Sequence, residues 1–143
     1  MTSVEASSSW ALAGGAQPPR LPEGIDLPRD RMLVMGILNV TPDSFSDGGR
    51  FLDPGAALDH AQEMLDEGAD LVDLGGESTR PNSTRISEDE EWERIGSIIQ
   101  RLAASGVVVS VDTLHALTAR RAADAGAAII NDVSGGRWDP QMN

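Results

Sequence analysis

Asp70-Leu71-Val72-Asp73-Leu74-Gly75 (residues 70–75) is the stretch on which the fold turns. A strand sends successive side chains to opposite faces. Leu71, Asp73 and Gly75 therefore share one face, and Val72 and Leu74 take the other. Residues 33–39, 107–112 and 128–132 sort in the same way. Ile37 goes with Asn39, Ser110 with Asp112, and Ile129 with Asn131, whereas Leu38, Val109, Val111 and Ile130 face away. One face is wholly apolar and suits a covering layer of helices. The other turns polar toward the carboxyl end, at Asn39, Asp73, Asp112 and Asn131.

The intervening segments read as helices. Asp53-Pro54 opens the first, with Asp as cap and Pro at the first helical position. Leu58, Ala61 and Leu65 recur at helical spacing, and Gly68 closes it. Ser87-Glu88-Asp89-Glu90 has the form of a capping box, and its acidic first turn complements the helix dipole. Trp92, Ile95, Ile99 and Leu102 form the apolar stripe of that helix. Thr113 is read as the cap of a third, alanine-rich helix over 114–125. The order β-α-β-α-β-α-β predicts an α/β fold with parallel pairing and right-handed crossovers. Helices on one face and polar strand ends on the other predict a (β/α)8 barrel, whose ligands bind at the carboxyl ends of the strands. A complete barrel needs roughly 250 residues. This chain of 143 residues is expected to hold about the first four strands, a half barrel with an unpaired edge and an open lumen.

Residues 1–31 are rich in Ser, Ala, Gly and Pro and are read as a flexible extension preceding the barrel segment at 32–143. A net charge of −12 excludes a basic face for nucleic acid or anionic membrane, but leaves room for an anion held locally by an arginine or a helix N-terminus. The sequence has no cysteine and only two histidines, which excludes disulfides, thiolate chemistry and a multi-histidine zinc site. No apolar run of about 20 residues and no secretory leader pattern occur, so a cytoplasmic location is the expectation. There is no P-loop or GxGxxG motif to support nucleotide binding.

Two segments are the most specific. One is Met35-Gly36-Ile37-Leu38-Asn39-Val40-Thr41-Pro42-Asp43-Ser44-Phe45-Ser46-Asp47-Gly48-Gly49. The other is Gly68-Ala69-Asp70-Leu71-Val72-Asp73-Leu74-Gly75-Gly76-Glu77-Ser78-Thr79-Arg80-Pro81. In this order and spacing they resemble the signature segments of the dihydropteroate synthase family, the folate-pathway target of sulfonamides. Val109-Ser110-Val111-Asp112-Thr113 and Ile129-Ile130-Asn131-Asp132-Val133 resemble that family's third and fourth strands, so the resemblance covers residues 32–142.

The resemblance implies a transferase of tetrahydrofolate biosynthesis. Such an enzyme joins 6-hydroxymethyl-7,8-dihydropterin diphosphate to 4-aminobenzoate and releases pyrophosphate. It implies Mg²⁺ bound by Asn39, an oxygen ligand of the kind magnesium favours. Asp112 and Asn131 are implied to hold the pterin, since a carboxylate accepts from its N–H groups and an amide can both donate and accept. Thr79 and Arg80 are implied to meet the pyrophosphate or the aminobenzoate carboxylate, a task suited to a guanidinium fork. Asp47 is a candidate to stabilise a developing pterin cation, and equally a candidate cap for the Gly48-Gly49 turn. Phe45 and Pro81 are candidate walls for the aminobenzoate ring. Asp73 shares the face of Asn39 and is read as a brace for neighbouring loops. The partners implied are small-molecule substrates, with no nucleic acid and no membrane, and the full-length family is expected to be a homodimer. Later strands of the family supply a further Asp, a Lys, an Arg and a His. The chain is therefore expected to be a truncated N-terminal half without turnover of its own. The alternative is an inactive short paralogue that binds pterin or associates with another subunit. His60 and His115 are expected to be solvated on helices, Trp92 to lie in the core, and residues 88–93 to form a solvated acidic face.

Overall fold

A computed structural model of the chain describes residues 25, 27–28, 30–41, 53–78 and 82–143. Four strands, β1 (Met35–Asn39), β2 (Leu71–Gly75), β3 (Val109–Asp112) and β4 (Ile129–Asn131), alternate with three helices, α1 (Pro54–Asp66), α2 (Glu88–Ala104) and α3 (Ala116–Asp124). The strands are all parallel and lie in the order β1-β2-β3-β4. Each strand thus pairs with the next one in sequence, the arrangement of consecutive barrel strands. Among the described residues β1 and β4 each have a partner on one side only. This is the open half barrel that the periodicity predicts.

The helices form where local chemistry satisfies their ends. Asp53 caps α1 by accepting from the Gly55 N–H, with Pro54 in the first turn. Ser87 caps α2 by accepting from the Glu90 N–H at 3.2 Å. The reciprocal half of the capping box is absent, because Glu90 pairs with Arg94 instead. The residues after the three helices, Gly68, Gly106 and Gly126, all have positive φ, as a left-handed helix stop requires. The third helix differs from expectation. It starts at Ala116 with His115 in the cap position and no side-chain cap, while the Thr113 hydroxyl accepts from the His115 N–H and shapes the turn before it.

The core lies between the helices and the outer sheet face. Leu38, Val72, Leu74, Val109 and Val111 from the strands meet Ala57, Ala61, Ile95, Ile98, Ile99 and Leu102 from α1 and α2. Trp92 packs against this cluster while remaining partly exposed. Upstream of β1, Leu27 is buried and Arg31 donates to both oxygens of Asp70, which also accepts from the Val34 N–H. The described end of the sequence read as a flexible extension is therefore tied to the sheet. Among the described residues, no helix is long and apolar enough to cross a membrane.

Ile95 is completely buried, and its Cγ2 lies 2.9 Å from where a Cβ on Gly76 would stand. Ile95→Ala is expected to lower stability by about 2–4 kcal/mol, read from the urea unfolding midpoint.

Candidate active site

Parallel pairing in a common register aligns the strand ends. Asn39 pairs with Gly75, Gly75 with Asp112, and Asp112 with Asn131, forming one row across the sheet. Two residues earlier runs a second row on the same face: Ile37, Asp73, Ser110 and Ile129. The ladder continues past the strand tips, with Val40 N–H donating to Gly75 O and Thr113 N–H to Asn131 O. The backbone beneath the row is therefore fixed on each side.

The glycine in the row leaves a slot. A Cβ on Gly75 would stand 3.3 Å from Asn39 Oδ1 and 3.7 Å from the Asp112 Cβ. Across it, Asn131 Nδ2–H donates to Asp73 Oδ2 at 3.2 Å, spanning the width of β3. Asp73 is only 3 % exposed. Asp73 Oδ1, Ser110 Oγ and Asp112 Oδ1 are buried and find no hydrogen-bond partner among the described residues. A buried polar atom left unpaired is costly, and these three lie on one face of the sheet.

The electrostatics agree. Burial pushes the Asp112 carboxyl up to about 6, and the nearby carboxylates of Asp73, Glu91 and Asp132 push in the same direction. Among the described arginines, Arg85 is drawn to Glu77, Arg94 to Glu90 and the Gly76 carbonyl, and Arg121 to Asp89. None of these cations answers the two aspartates. The face is rich in acceptors and suits a ligand edge rich in N–H donors.

Behind the row stands a network that sequence reading missed. Glu91, expected on a solvated face, is 0 % exposed and accepts from the Thr113 hydroxyl at 2.9 Å. Its carboxyl is pushed up by burial, against the opposing influence of Thr118 and Thr113. His115, expected to be solvated, is largely buried and meets buried Glu77 at 3.0 Å through Nε2. Glu77 also accepts from Arg85 at 3.0 Å, and the Arg85 guanidinium lies 4.5 Å from the centre of the Trp138 ring. The signal for Glu91 is its place in the helix: it stands one turn before Ile95 and two turns before Ile98 and Ile99, on the buried stripe. His60 stays on the surface near Glu63.

Asn39, Asp112 and Asn131 are thus brought together, with Asp73 joined to them. Phe45, Asp47, Thr79, Arg80 and Pro81 lie outside the described residues. Among the described residues no cluster of three His, Cys, Asp or Glu could hold a metal. Asn39 offers a single neutral oxygen at the rim of the row. That donor fits Mg²⁺ held jointly with ligand oxygens and water, and does not fit a cage built by protein alone.

The profile of the family described as "Pterin binding enzyme" matches residues 35–143. The chain is 54% identical over 115 residues to the dihydropteroate synthase of Bacillus subtilis, covering 80% of this chain and 40% of that protein. The Yersinia pestis dihydropteroate synthase, solved in complex with a sulfonamide drug, superposes with a TM-score of 0.77 at 48% identity, over 84% of this chain and 44% of that one. The Xanthomonas albilineans dihydropteroate synthase, solved with 4-aminobenzoic acid, gives a TM-score of 0.73 at 48% identity, over 80% of this chain and 43% of that one. The chain spans about two-fifths of the length of the curated relatives it matches.

Gly75→Ala fills the slot between Asn39 and Asp112. It is expected to change stability by less than about 1 kcal/mol while abolishing ligand binding at the row, as read by urea unfolding and calorimetry in parallel. The Asp112 proton has its own signature. Its pKa rises from 3.8 to about 6 on folding, so over that interval the folded chain holds a proton that the unfolded chain has lost. The stabilisation is full below the lower value and is lost as pH rises through the upper one. Asp112→Asn is expected to flatten that part of the decline in urea midpoint between about pH 4 and about pH 7. Parallel wild-type and variant curves would contradict the assignment.

Proposed function

We propose, from the premise that this chain belongs to the pterin binding enzyme family, that its row of strand ends binds a dihydropterin diphosphate. The activity it serves would be that of dihydropteroate synthase. The single observation that carries this reading is the row itself: Asn39, Asp112 and Asn131 on one face, beside unpartnered buried acceptors and no countering arginine among the described residues. An aminopyrimidinone edge offers N–H donors to such a face.

In this reading the aminobenzoate nitrogen forms a bond to the exocyclic methylene of the pterin. The bond from that carbon to the diphosphate oxygen breaks, its electron pair leaving with diphosphate, and the amine proton passes to solvent. Asp112 and Asn131 hold the ring so that the methylene points out of the strand ends. Thr79 and Arg80 are assigned to the departing anion, Arg80 as the fork that neutralises its growing charge. Asp47 is assigned to the positive charge left on the pterin. Phe45 and Pro81 are assigned to the aminobenzoate ring. Asn39 would hold Mg²⁺, which when bound neutralises diphosphate charge. The chain spans about two-fifths of the length of its curated relatives, so binding rather than turnover is the measurement for it.

Calorimetric titration with 6-hydroxymethyl-7,8-dihydropterin diphosphate is expected to show binding that Mg²⁺ tightens. Asn39→Ala is expected to remove the Mg²⁺ dependence and to leave binding of the unphosphorylated pterin within about twofold. Equal affinity with and without Mg²⁺ in the wild-type chain would overturn the metal assignment, and absence of any pterin binding would overturn the reading.

A further inference from the structure

Asp73 is the buried acid for which the proposed reaction has no direct use. It is 3 % exposed and sits one row below the strand ends, with Ser110 beside it in register. Above it on its own strand is Gly75, which has no side chain to cover it. Among the described residues its one polar partner is the Asn131 amide: Nδ2–H donates to Oδ2 at 3.2 Å, reaching over β3 from β4. Asn131 has its backbone pinned as well, because Thr113 N–H donates to its carbonyl at 3.2 Å.

A carboxamide has two ends, and an unrestrained one can present either. Asp73 removes that choice. An ionised carboxylate only accepts, so the NH2 end must face it. The Asn131 Oδ1 is then turned away from Asp73. It has no hydrogen bond from any described residue and is not among the atoms sealed from solvent. With Asp112 next to it in the row, the exposed edge presents acceptors only.

We infer that Asp73 is a positioning residue that locks the Asn131 carboxamide with its carbonyl toward the ligand, and so makes the site select a 2-amino-4-oxopteridine over its 2-oxo counterpart. The selectivity rests on the pterin reading above; the locked amide does not. Replacing the 2-amino group by oxygen exchanges donors for an acceptor, which a freely turning Asn131 would tolerate and a locked one rejects.

The test has two arms on the full chain. In the first, the Asn131 side-chain amide is followed by NMR without ligand. In the wild-type chain one of its two protons is expected to be shifted and protected from solvent exchange. Asp73→Leu, which has no acceptor, should abolish the protection. Asp73→Asn can donate as well as accept, so it no longer fixes the orientation and should weaken the protection. Free exchange of both protons in the wild-type chain overturns the inference even if the leucine variant fails to fold.

In the second arm, affinities for 6-hydroxymethylpterin and for 2,4-dioxopteridine are measured. Asp73→Leu and Asp73→Asn are each expected to lower the preference for the amino compound, the leucine variant by about tenfold, since neither side chain is an acceptor only. A residue acting only through the fold would weaken both ligands alike and leave the ratio unchanged, which overturns the inference. Retention of the wild-type ratio in Asp73→Asn also overturns it, since an amide that can donate does not fix the Asn131 carbonyl toward the ligand. If the wild-type chain binds neither pteridine, the pterin reading and the selectivity fail together, while protection of the Asn131 amide decides the positioning role by itself.

Discussion

In-register parallel pairing is the constraint on which everything else in this molecule depends. Because Asn39, Gly75, Asp112 and Asn131 are mutual partners across adjacent strands, four short segments far apart in sequence end at one level. A slip of one residue in any strand would exchange its faces, sending its lumen side chains toward the helices. The apolar face prevents that slip. Leu38, Leu74 and Val111 lie in one buried row against α1 and α2, and moving any one of them would expose it while burying a polar neighbour. Core packing on one side of the sheet thus sets the geometry of the site on the other.

The backbone plan was legible in the sequence because it rests on local signals. Alternation fixes which face each strand residue takes, and Asp53, Ser87 and the glycines at 68, 106 and 126 mark helix ends through their own chemistry. Asn39, Asp112 and Asn131 could be assigned to one face on that period alone. The residues that were misread are those whose state is set by partners distant in the chain. Glu91 is buried because Thr113, 22 residues away, offers it a hydroxyl beneath β3. His115 is buried because Glu77, 38 residues away, accepts its ring. Composition makes a run of acids look solvated. Only the position of Glu91 on the isoleucine stripe argued otherwise. Thr113 was read as a cap because a hydroxyl before a helix commonly is one, but here that hydroxyl serves Glu91 and the turn instead.

The same long-range network explains how the acidic row is kept in shape. Two carboxylates on one face, Asp73 and Asp112, repel each other and are poorly solvated. The strain is not relieved by a lysine, since the chain has none, and Arg31, Arg85, Arg94 and Arg121 pair with other carboxylates. It is contained by a brace behind the strand ends. Glu91 holds Thr113, Thr113 holds the Asn131 carbonyl, and the Glu77–His115 pair ties the segment after β2 to the start of α3. A site rich in unmatched acceptors is a poor contributor to stability and a good receptor for donors, the usual trade at functional positions.

The division of polar and apolar groups across the two lumen rows follows from the same requirement. The lower row carries Asp73 and Ser110 in its centre and isoleucines at both outer strands. Ile37 is 51 % exposed, although the residues on either side of it in β1 face the core or the helix α1. A flat heterocycle needs hydrogen-bond partners along one edge and apolar surface against its faces. The polar centre and apolar flanks of this sheet supply both, with the slot at Gly75 leaving the edge accessible. The exposed Ile37 is then no packing defect. It lies on the lumen side of a strand that, among the described residues, has a partner on one side only, and Met35 two residues earlier on the same face is likewise 43 % exposed.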